Sequence, residues 1–377
     1  MIVKKPFVEH ISQSAWDIIV WLQTTHDMEC FVQFETKQEF ESNGMDTTNL
    51  KEWLDSESVD FAISLGGDGT ILYMVNMFSH TVPPIIPFAM GSLGFLTPFD
   101  IMNQRKVLNN FILVGGSLTL RTRLSCKVIK EGKVHCQKVV MNEVVVDRGT
   151  SSSLLNVDTF VDGQHLTCVL GDGIILATPT GSTAYSLSAG GSICHPQVPC
   201  MIFCPICPHS LSFRPVIFPD SAHFKIVLGQ AARDNAWVSF DGRDRMMFER
   251  GDEILVKHSR YPVAVLCRNE TEDWITSVTT CLRWNLRDNQ KSWTRAGATT
   301  GGVTRKEESR PLELKIEDVD AQKAQDLERT TSTEATDLFK TSSDASEHLY
   351  RSFCKPASTI LSRSFRYDEA AATTMNF

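Results

Sequence analysis

Apolar positions recur along the first hundred residues in short blocks that alternate between two spacings. Ile2-Val3 opens a short strand, Ile11 to Gln23 has helical spacing, and Glu29 to Phe34 reads as strand again. Val59 to Leu65 is an apolar run of strand length that stops at Gly66-Gly67-Asp68-Gly69-Thr70. A second helical pattern follows, with Leu72, Val75, Met77 and Phe78 among its apolar positions, and Pro84 to Phe88 reads as a further buried strand. Strands alternating with helices predict a parallel sheet covered on both faces. Residues 1–98 are therefore expected to form an α/β domain.

The spacing changes near Phe99. Leu118, Leu120, Thr122, Leu124, Cys126 and Val128 fall at period two, with Arg121, Arg123, Ser125 and Lys127 on the other face, which predicts one half-buried strand. Val139 to Val146, Leu154 to Val161, Ile174 to Ala177, Phe224 to Leu228, Ala236 to Phe240 and Ile254 to Lys257 continue the strand pattern, and Asp162-Gly163 has the composition of a tight hairpin turn. Residues 99–268 are expected to form a β-rich domain. Trp274 to Leu286 predicts a helix, so residues 269–295 are expected to pack back on the body. Residues 296–377 are rich in Thr, Ser, Glu, Asp and Ala with no sustained apolar face, and are expected to stay disordered. The predicted fold is α/β plus β.

Composition narrows the function classes. The chain has 377 residues, 42% hydrophobic and 22% charged, with a net charge of −8. That balance offers no general field for nucleic acid or an anionic membrane, so anionic ligands need a local site. No stretch reaches the roughly 18–20 apolar residues of a membrane helix, and no signal-peptide core is present. Eleven cysteines, an odd number, read as reduced thiols of a cytoplasmic protein. Cys200, Cys204, Cys207 and His209 invite a zinc reading, but no second ligand pair exists and prolines crowd the segment, so no metal ligands are assigned. The Asn269-Glu270-Thr271 sequon is read as a chance match.

Three blocks carry candidate chemistry. In the first, glycines flank Asp68 between a strand and a helix. Glycines allow close backbone approach to an anion, and a helix start directs N–H groups at it. A carboxylate there repels phosphate but suits a proton acceptor or a Mg²⁺ ligand. The alternative is a tight turn with Asp68 as a helix cap. The second block is Asn142-Glu143, polar neighbours inside a strand-like run, fit to bind hydroxyls and ring nitrogens or to mark a bulge or an edge. The third runs from Gly171-Asp172-Gly173 through Thr178-Pro179-Thr180-Gly181-Ser182-Thr183-Ala184-Tyr185 to Ser188-Ala189-Gly190-Gly191. Its small hydroxyl residues suit ribose and phosphate, and Tyr185 offers a stacking face. A capped helix with Tyr185 in the core is the alternative.

These blocks, in this order, resemble the NAD kinase family. Gly91 to Leu96, Pro205 to Ser210 and Val238 to Gly242 are similar as well. The resemblance covers about residues 1–290 and looks closest to the animal cytosolic type. It implies NAD in a cleft between the two domains, ATP with Mg²⁺ as phosphoryl donor, and a homo-oligomer, dimer or tetramer. By resemblance Asp68 is the catalytic carboxylate, with Gly67 and Gly69 as its supports. Asn142 and Glu143 bind the dinucleotide, Asp172 reaches the nicotinamide half, and Thr180, Thr183, Ala184 and Tyr185 hold adenosine. Ser188 and Asp241 carry over as further binding residues, although Asp241-Gly242 also fits a plain hairpin turn. A lipid kinase shares the first block only, and a non-catalytic dinucleotide binder has no use for Asp68. Animal-type members usually carry an extra leading segment, whereas this chain starts at the first strand.

Overall fold

The computed structural model describes residues 1–54, 58–78, 80–230 and 232–285. The expected tail lies outside them, as does the end of the expected 269–295 segment. Among the described residues, no helix is long and apolar enough to cross a membrane.

The first sheet runs in the order Ile2–Lys4, Ala62–Gly66, Ile85–Ala89, Val263–Cys267 and Ser117–Arg121, with Phe99–Asp100 also paired to Ile85–Ala89. All these pairings are parallel except the last strand of the order, which runs antiparallel to Val263–Cys267. Both faces are covered, which explains why its inner strands are continuously apolar. The helix Glu9–His26 places Ile11, Ala15, Ile18, Ile19 and Leu22 on one side, against Ile63, Leu65, Ile86 and Phe88. The helix Asp68–Asn76 covers the opposite side with Ile71, Met74 and Val75.

The second part is a pair of six-stranded antiparallel sheets. One is ordered Val216–Pro219, Cys200–Ile206, Gly173–Ala177, Glu143–Asp147, Ala236–Phe240, Arg243–Phe248. The other is Gln164–Gly171, Leu155–Val161, Phe224–Leu228, Glu253–His258, Leu124–Lys130, Lys133–Val140. Alternate residues from both fill one core, among them Val144, Val146, Leu176 and Phe203 from the first, Val128, Phe224 and Ile254 from the second. The first sheet of this pair is buried on its other face too, where Val145, Ile175 and Ile202 meet Cys194 and Ala189. An α/β part with a parallel sheet and an antiparallel β-rich part are thus both present.

Several expectations need correction. The period-two run from Leu118 to Val128 is not one strand: it breaks at Thr122-Arg123, its first half joining the parallel sheet and its second half the sandwich. Arg121 and Arg123, expected on the exposed face, are buried, Arg123 completely. The Arg123 Nε donates to the Tyr261 carbonyl at 2.6 Å, and Nη2 donates to the His80 carbonyl. The sheets also divide the chain elsewhere than at residue 98, because the strands at 99–100, 117–121 and 263–267 complete the first sheet. In place of a strand over 29–34, only Phe31–Val32 is extended, paired with Lys51–Glu52, and a helix begins at Phe34. The helix expected from Trp274 to Leu286 is Glu270–Cys281 among the described residues, because Asn269 accepts the N–H groups of Thr271 and Glu272 and starts it early. The sequon asparagine is therefore a helix cap.

Phe203 is fully buried, its ring centroid 5.9 Å from that of Phe224 and 6.1 Å from that of Phe213. Phe203→Ala is expected to cost about 3–5 kcal/mol of stability, read as a lowered denaturant midpoint in chemical unfolding.

Candidate functional site

Asp68 is the first residue of its helix, and Gly67 before it is the N-cap. The Asp68 side chain caps nothing in that helix. It crosses to the Gly91–Thr97 loop, where Oδ2 accepts the Phe95 N–H at 2.9 Å and Oδ1 the Leu96 N–H at 3.0 Å. The Thr97 hydroxyl donates weakly to Oδ1 at 3.4 Å. Gly94 is required here, because a Cβ on it would lie 2.2 Å from Asp68 Oδ1. A Cβ on Gly67 or Gly69 would meet nothing within 4 Å. Their lack of a side chain therefore serves no packing of the protein on itself and leaves open space at the helix start.

The Asn142-Glu143 pair sits where a tight turn enters the strand Glu143–Asp147. The carboxylate of Asp241 builds this turn by accepting the N–H groups of Met141 at 2.8 Å, Asn142 at 2.8 Å and Glu143 at 3.1 Å. Asp241 can reach them because it and Gly242 take φ of +48° and +70° at the head of a hairpin, the conformation of a two-residue primed turn. The turn alternative for Asp241 is thus what the structure shows, with its buried carboxylate engaged by backbone. Met141 packs in one apolar cluster with Ile71 and Leu96, which brings this turn against the glycine-loop helix.

The third block folds over the same turn. Thr178 donates its hydroxyl to the Met141 carbonyl at 2.6 Å and accepts the Gly181 N–H at 3.0 Å. Gly181 lies so close to Asn142 that a Cβ would stand 2.2 Å from the Asn142 carbonyl oxygen. A short 3₁₀ turn, Thr180–Thr183, leads into the helical turn Tyr185–Ser188. Thr180 is buried, Thr183 and Ala184 are half-buried, and Ser188 is exposed. The Thr183 hydroxyl bonds to the Thr180 carbonyl at 3.1 Å. Tyr185 is 44% exposed, so it is not a core residue, and its backbone N–H donates to Glu143.

Three oxygens in this neighbourhood are buried with no hydrogen-bond partner: Asn142 Oδ1, Glu143 Oε2 and Thr180 Oγ1. Buried polar atoms are normally satisfied, so three orphans beside one turn make this a candidate ligand surface. Next to them a cavity of about 410 Å³ is lined by Tyr185, Asp172, Arg148, Asp147, Ser239 and Arg245. Arg148 Nε donates to Asp172 at 2.6 Å, and Arg245 pairs with Asp147 at 2.7 Å. Sequence reasoning missed both arginines, which carry no motif of their own. It also missed the Phe95 and Leu96 amides, although it singled out the segment that bears them. Among the described residues, no three His, Cys, Asp or Glu side chains gather as a metal site.

Burial pushes the Glu143 carboxyl up to about 8, helped by the nearby charge of Asp241 and opposed by the Tyr185 N–H. Burial also raises Asp241, but three backbone N–H donors and the charge of Arg123 oppose it. Of the two, Glu143 therefore holds the proton at neutral pH. The unfolded chain releases that proton above an ordinary value of 4.5, while the folded protein keeps it until about 8. The unfolded state binds fewer protons across this window, so Glu143 makes stability fall as pH rises through it. Glu143→Gln removes this loss. The ligand-free variant is expected to gain thermal stability over the parent between pH 5 and pH 8, on the order of 5 °C at the upper end. Melting curves at several pH values read this directly, and a constant difference refutes the assignment.

Comparison with known proteins agrees with this geometry. Residues 2–115 match the ATP-NAD kinase N-terminal domain, and residues 141–267 match the ATP-NAD kinase C-terminal domain. A chloroplastic NAD kinase 2 of Arabidopsis thaliana is 49% identical over 255 residues, covering 66% of this chain but 25% of that protein. The chain thus spans a quarter of that relative's length. An uncharacterized kinase of Schizosaccharomyces pombe is 38% identical over 318 residues, covering 76% of this chain and 79% of that one. The crystal structure of yeast NADH kinase complexed with NADH superposes with a TM-score of 0.71 at 37% identity, covering 77% of this chain and 89% of that one. With both halves of the fold matched in order around one site, the chain belongs to the NAD kinase family.

Proposed function

We propose that the protein phosphorylates the 2′-hydroxyl of the adenosine ribose of NAD with ATP, giving NADP. The observation that carries this reading is the set of unpartnered buried oxygens on Asn142, Glu143 and Thr180 beside the Asp68 loop. A ribose and an adenine edge supply the donors and acceptors these atoms lack. A protonated Glu143 can donate where a carboxylate cannot. Tyr185 offers its half-exposed ring to the base, and the cavity holding Asp172 and Arg148 suits the nicotinamide half.

In this reading Asp68 faces the acceptor hydroxyl. Each of its oxygens accepts one backbone N–H, and Oδ2, which the Thr97 hydroxyl does not face, keeps a further lone pair for the hydroxyl proton. As the ribose oxygen bonds to the γ-phosphorus, the bond to the β-phosphate oxygen breaks and ADP leaves. Such transfers depend on alignment and on neutralising charge at the equatorial oxygens. The open space beside Gly67 and Gly69, at the start of a nine-residue helix, admits phosphate close to free N–H groups. Mg²⁺ binds commonly through one or two carboxylates plus substrate phosphates, and a lone Asp68 on this loop fits an ion carried in by the nucleotide. Its chemistry is to neutralise phosphate charge.

The finer reading is a cytoplasmic enzyme of the animal type that prefers ATP to polyphosphate and assembles as a dimer or tetramer. The ten described cysteines are all free thiols, which supports a reducing compartment. Val216 and Ile217 on an edge strand are exposed, which supports a contact between copies. Light scattering on the purified chain reads the assembly.

Incubation with NAD, ATP and Mg²⁺, with NADP detected by an NADP-specific dehydrogenase, tests the activity. NADH in place of NAD tests the acceptor. Asp68→Asn is expected to lower turnover by about 10²–10⁴-fold. The amide also gives up one of the two oxygen acceptors that hold the loop, so NAD affinity is measured on the same sample. Near-normal turnover removes Asp68 from the chemistry, and an equal loss of affinity makes it a binding group. Tyr185→Ala is expected to weaken NAD binding by about 1–3 kcal/mol with an unchanged melting temperature, read by calorimetry on the folded variant.

A further inference from the structure

The helix Glu270–Cys281 presses its buried edge on the loop that holds Asp68. Ser277, buried, donates its hydroxyl to the Gly94 carbonyl at 3.0 Å. That carbonyl belongs to the same planar peptide as the Phe95 N–H, which donates to Asp68 Oδ2 at 2.9 Å. A trans peptide points its C=O and N–H in opposite directions. One rigid plane is therefore gripped at both ends, by Ser277 on one side and Asp68 on the other.

The neighbouring peptide repeats the arrangement. Its Leu93 carbonyl accepts the Cys281 thiol at 3.3 Å, and its Gly94 N–H donates to Thr97 Oγ1 at 2.9 Å. Thr97 Oγ1 in turn faces Asp68 Oδ1. The helix is itself well anchored. Asn269 caps its first turn, and Glu270 accepts the Thr119 hydroxyl from the first sheet and the side-chain amide of Gln197. A donor on a peptide carbonyl also polarises that peptide, so its N–H becomes a stronger donor.

We propose that Ser277 is a positioning residue for Asp68, acting through the Gly94–Phe95 peptide plane. The proposal rests on the reading of Asp68 as the group that takes the acceptor hydroxyl's proton. With the Ser277 hydroxyl absent, the plane is held only by the carboxylate it should be holding. Asp68 and the loop then drift together, and the carboxylate loses its fixed direction toward the ribose. Substrate binding, built on Asn142, Glu143 and the Thr180–Tyr185 block, is untouched.

Ser277→Thr and Ser277→Val, made in the full chain, share one shape and differ only in the hydroxyl. The kcat of the Val variant is expected to fall about three- to tenfold below that of the Thr variant, the worth of one hydrogen bond. KM for NAD and ATP should stay equal between the two. In an Asp68→Asn background the difference between Thr and Val should vanish. Equal kcat in the two variants, or a difference undiminished by Asp68→Asn, overturns the proposal. Amide hydrogen exchange gives a readout that needs no turnover: the Phe95 amide of the ligand-free Val variant should exchange faster than that of the Thr variant. Equal exchange overturns the clamp. If the parent chain forms no NADP, the functional reading fails, and the exchange comparison alone decides whether Ser277 holds the loop.

Discussion

A wholly buried guanidinium stands where the chain passes from one sheet system to the other. Arg123 follows the parallel sheet's strand Ser117–Arg121 and precedes the sandwich strand Leu124–Lys130. Its side chain ties the carbonyl of His80, beyond the glycine-loop helix, to that of Tyr261, just before the strand Val263–Cys267. Burying a charge is costly unless partners repay it. The cost shows in Arg123 itself, pushed down to about 10 by burial while the charge of Asp241 pulls it up. It still stays charged at neutral pH. Asp241 is the residue whose carboxylate builds the Asn142-Glu143 turn, so the cation that joins the sheets also favours the anion that shapes the site.

That dependence sets the protonation order at the site. Asp241 and Glu143 are both buried, and the charge of Asp241 adds to the burial that raises Glu143. Two carboxylates in one dry place cannot both ionise cheaply. Backbone donors and Arg123 favour the charge on Asp241, while Glu143 has one N–H donor and an oxygen with no partner. The turn therefore leaves one neutral acid with an unpartnered oxygen.

Glycine and small-hydroxyl patterning made the site legible in the sequence, because loops that approach a ligand or another backbone closely must lack side chains. Gly181 against the Asn142 carbonyl and Gly94 against Asp68 are two such places. The alternation of strands and helices gave the α/β part, and period two gave the β-rich part. Period two could not show that Leu118 to Val128 changes sheet midway, since both halves alternate in phase in the sequence, whereas the fold exposes Leu118 and Leu120, buries Arg121 and Arg123, and buries Leu124, Cys126 and Val128. Nor could it show that Val263–Cys267 returns to the parallel sheet, a pairing with residues far away in the chain. Arg148 and Arg245 stayed hidden because a surface ion pair and a cavity wall look alike in a sequence.

The same returning strand explains why the helix Glu270–Cys281 reaches the loop that holds Asp68. Val263–Cys267 lies between Ile85–Ala89 and Ser117–Arg121, so the chain leaves the sheet beside the loop that follows Ile85–Ala89. Asn269 turns it at once into the helix Glu270–Cys281, whose buried Ser277 and Val278 face inward. A sheet built only from the first hundred residues would leave the backbone carbonyls of Leu93 and Gly94 without the Cys281 and Ser277 donors that the helix supplies. Carbonyls solvated by water fix no direction, whereas carbonyls bonded to a capped helix do. The chain returns to the parallel sheet in Val263–Cys267 before it forms Glu270–Cys281, and so the Gly91–Thr97 loop receives a second support opposite the Asp68 carboxylate.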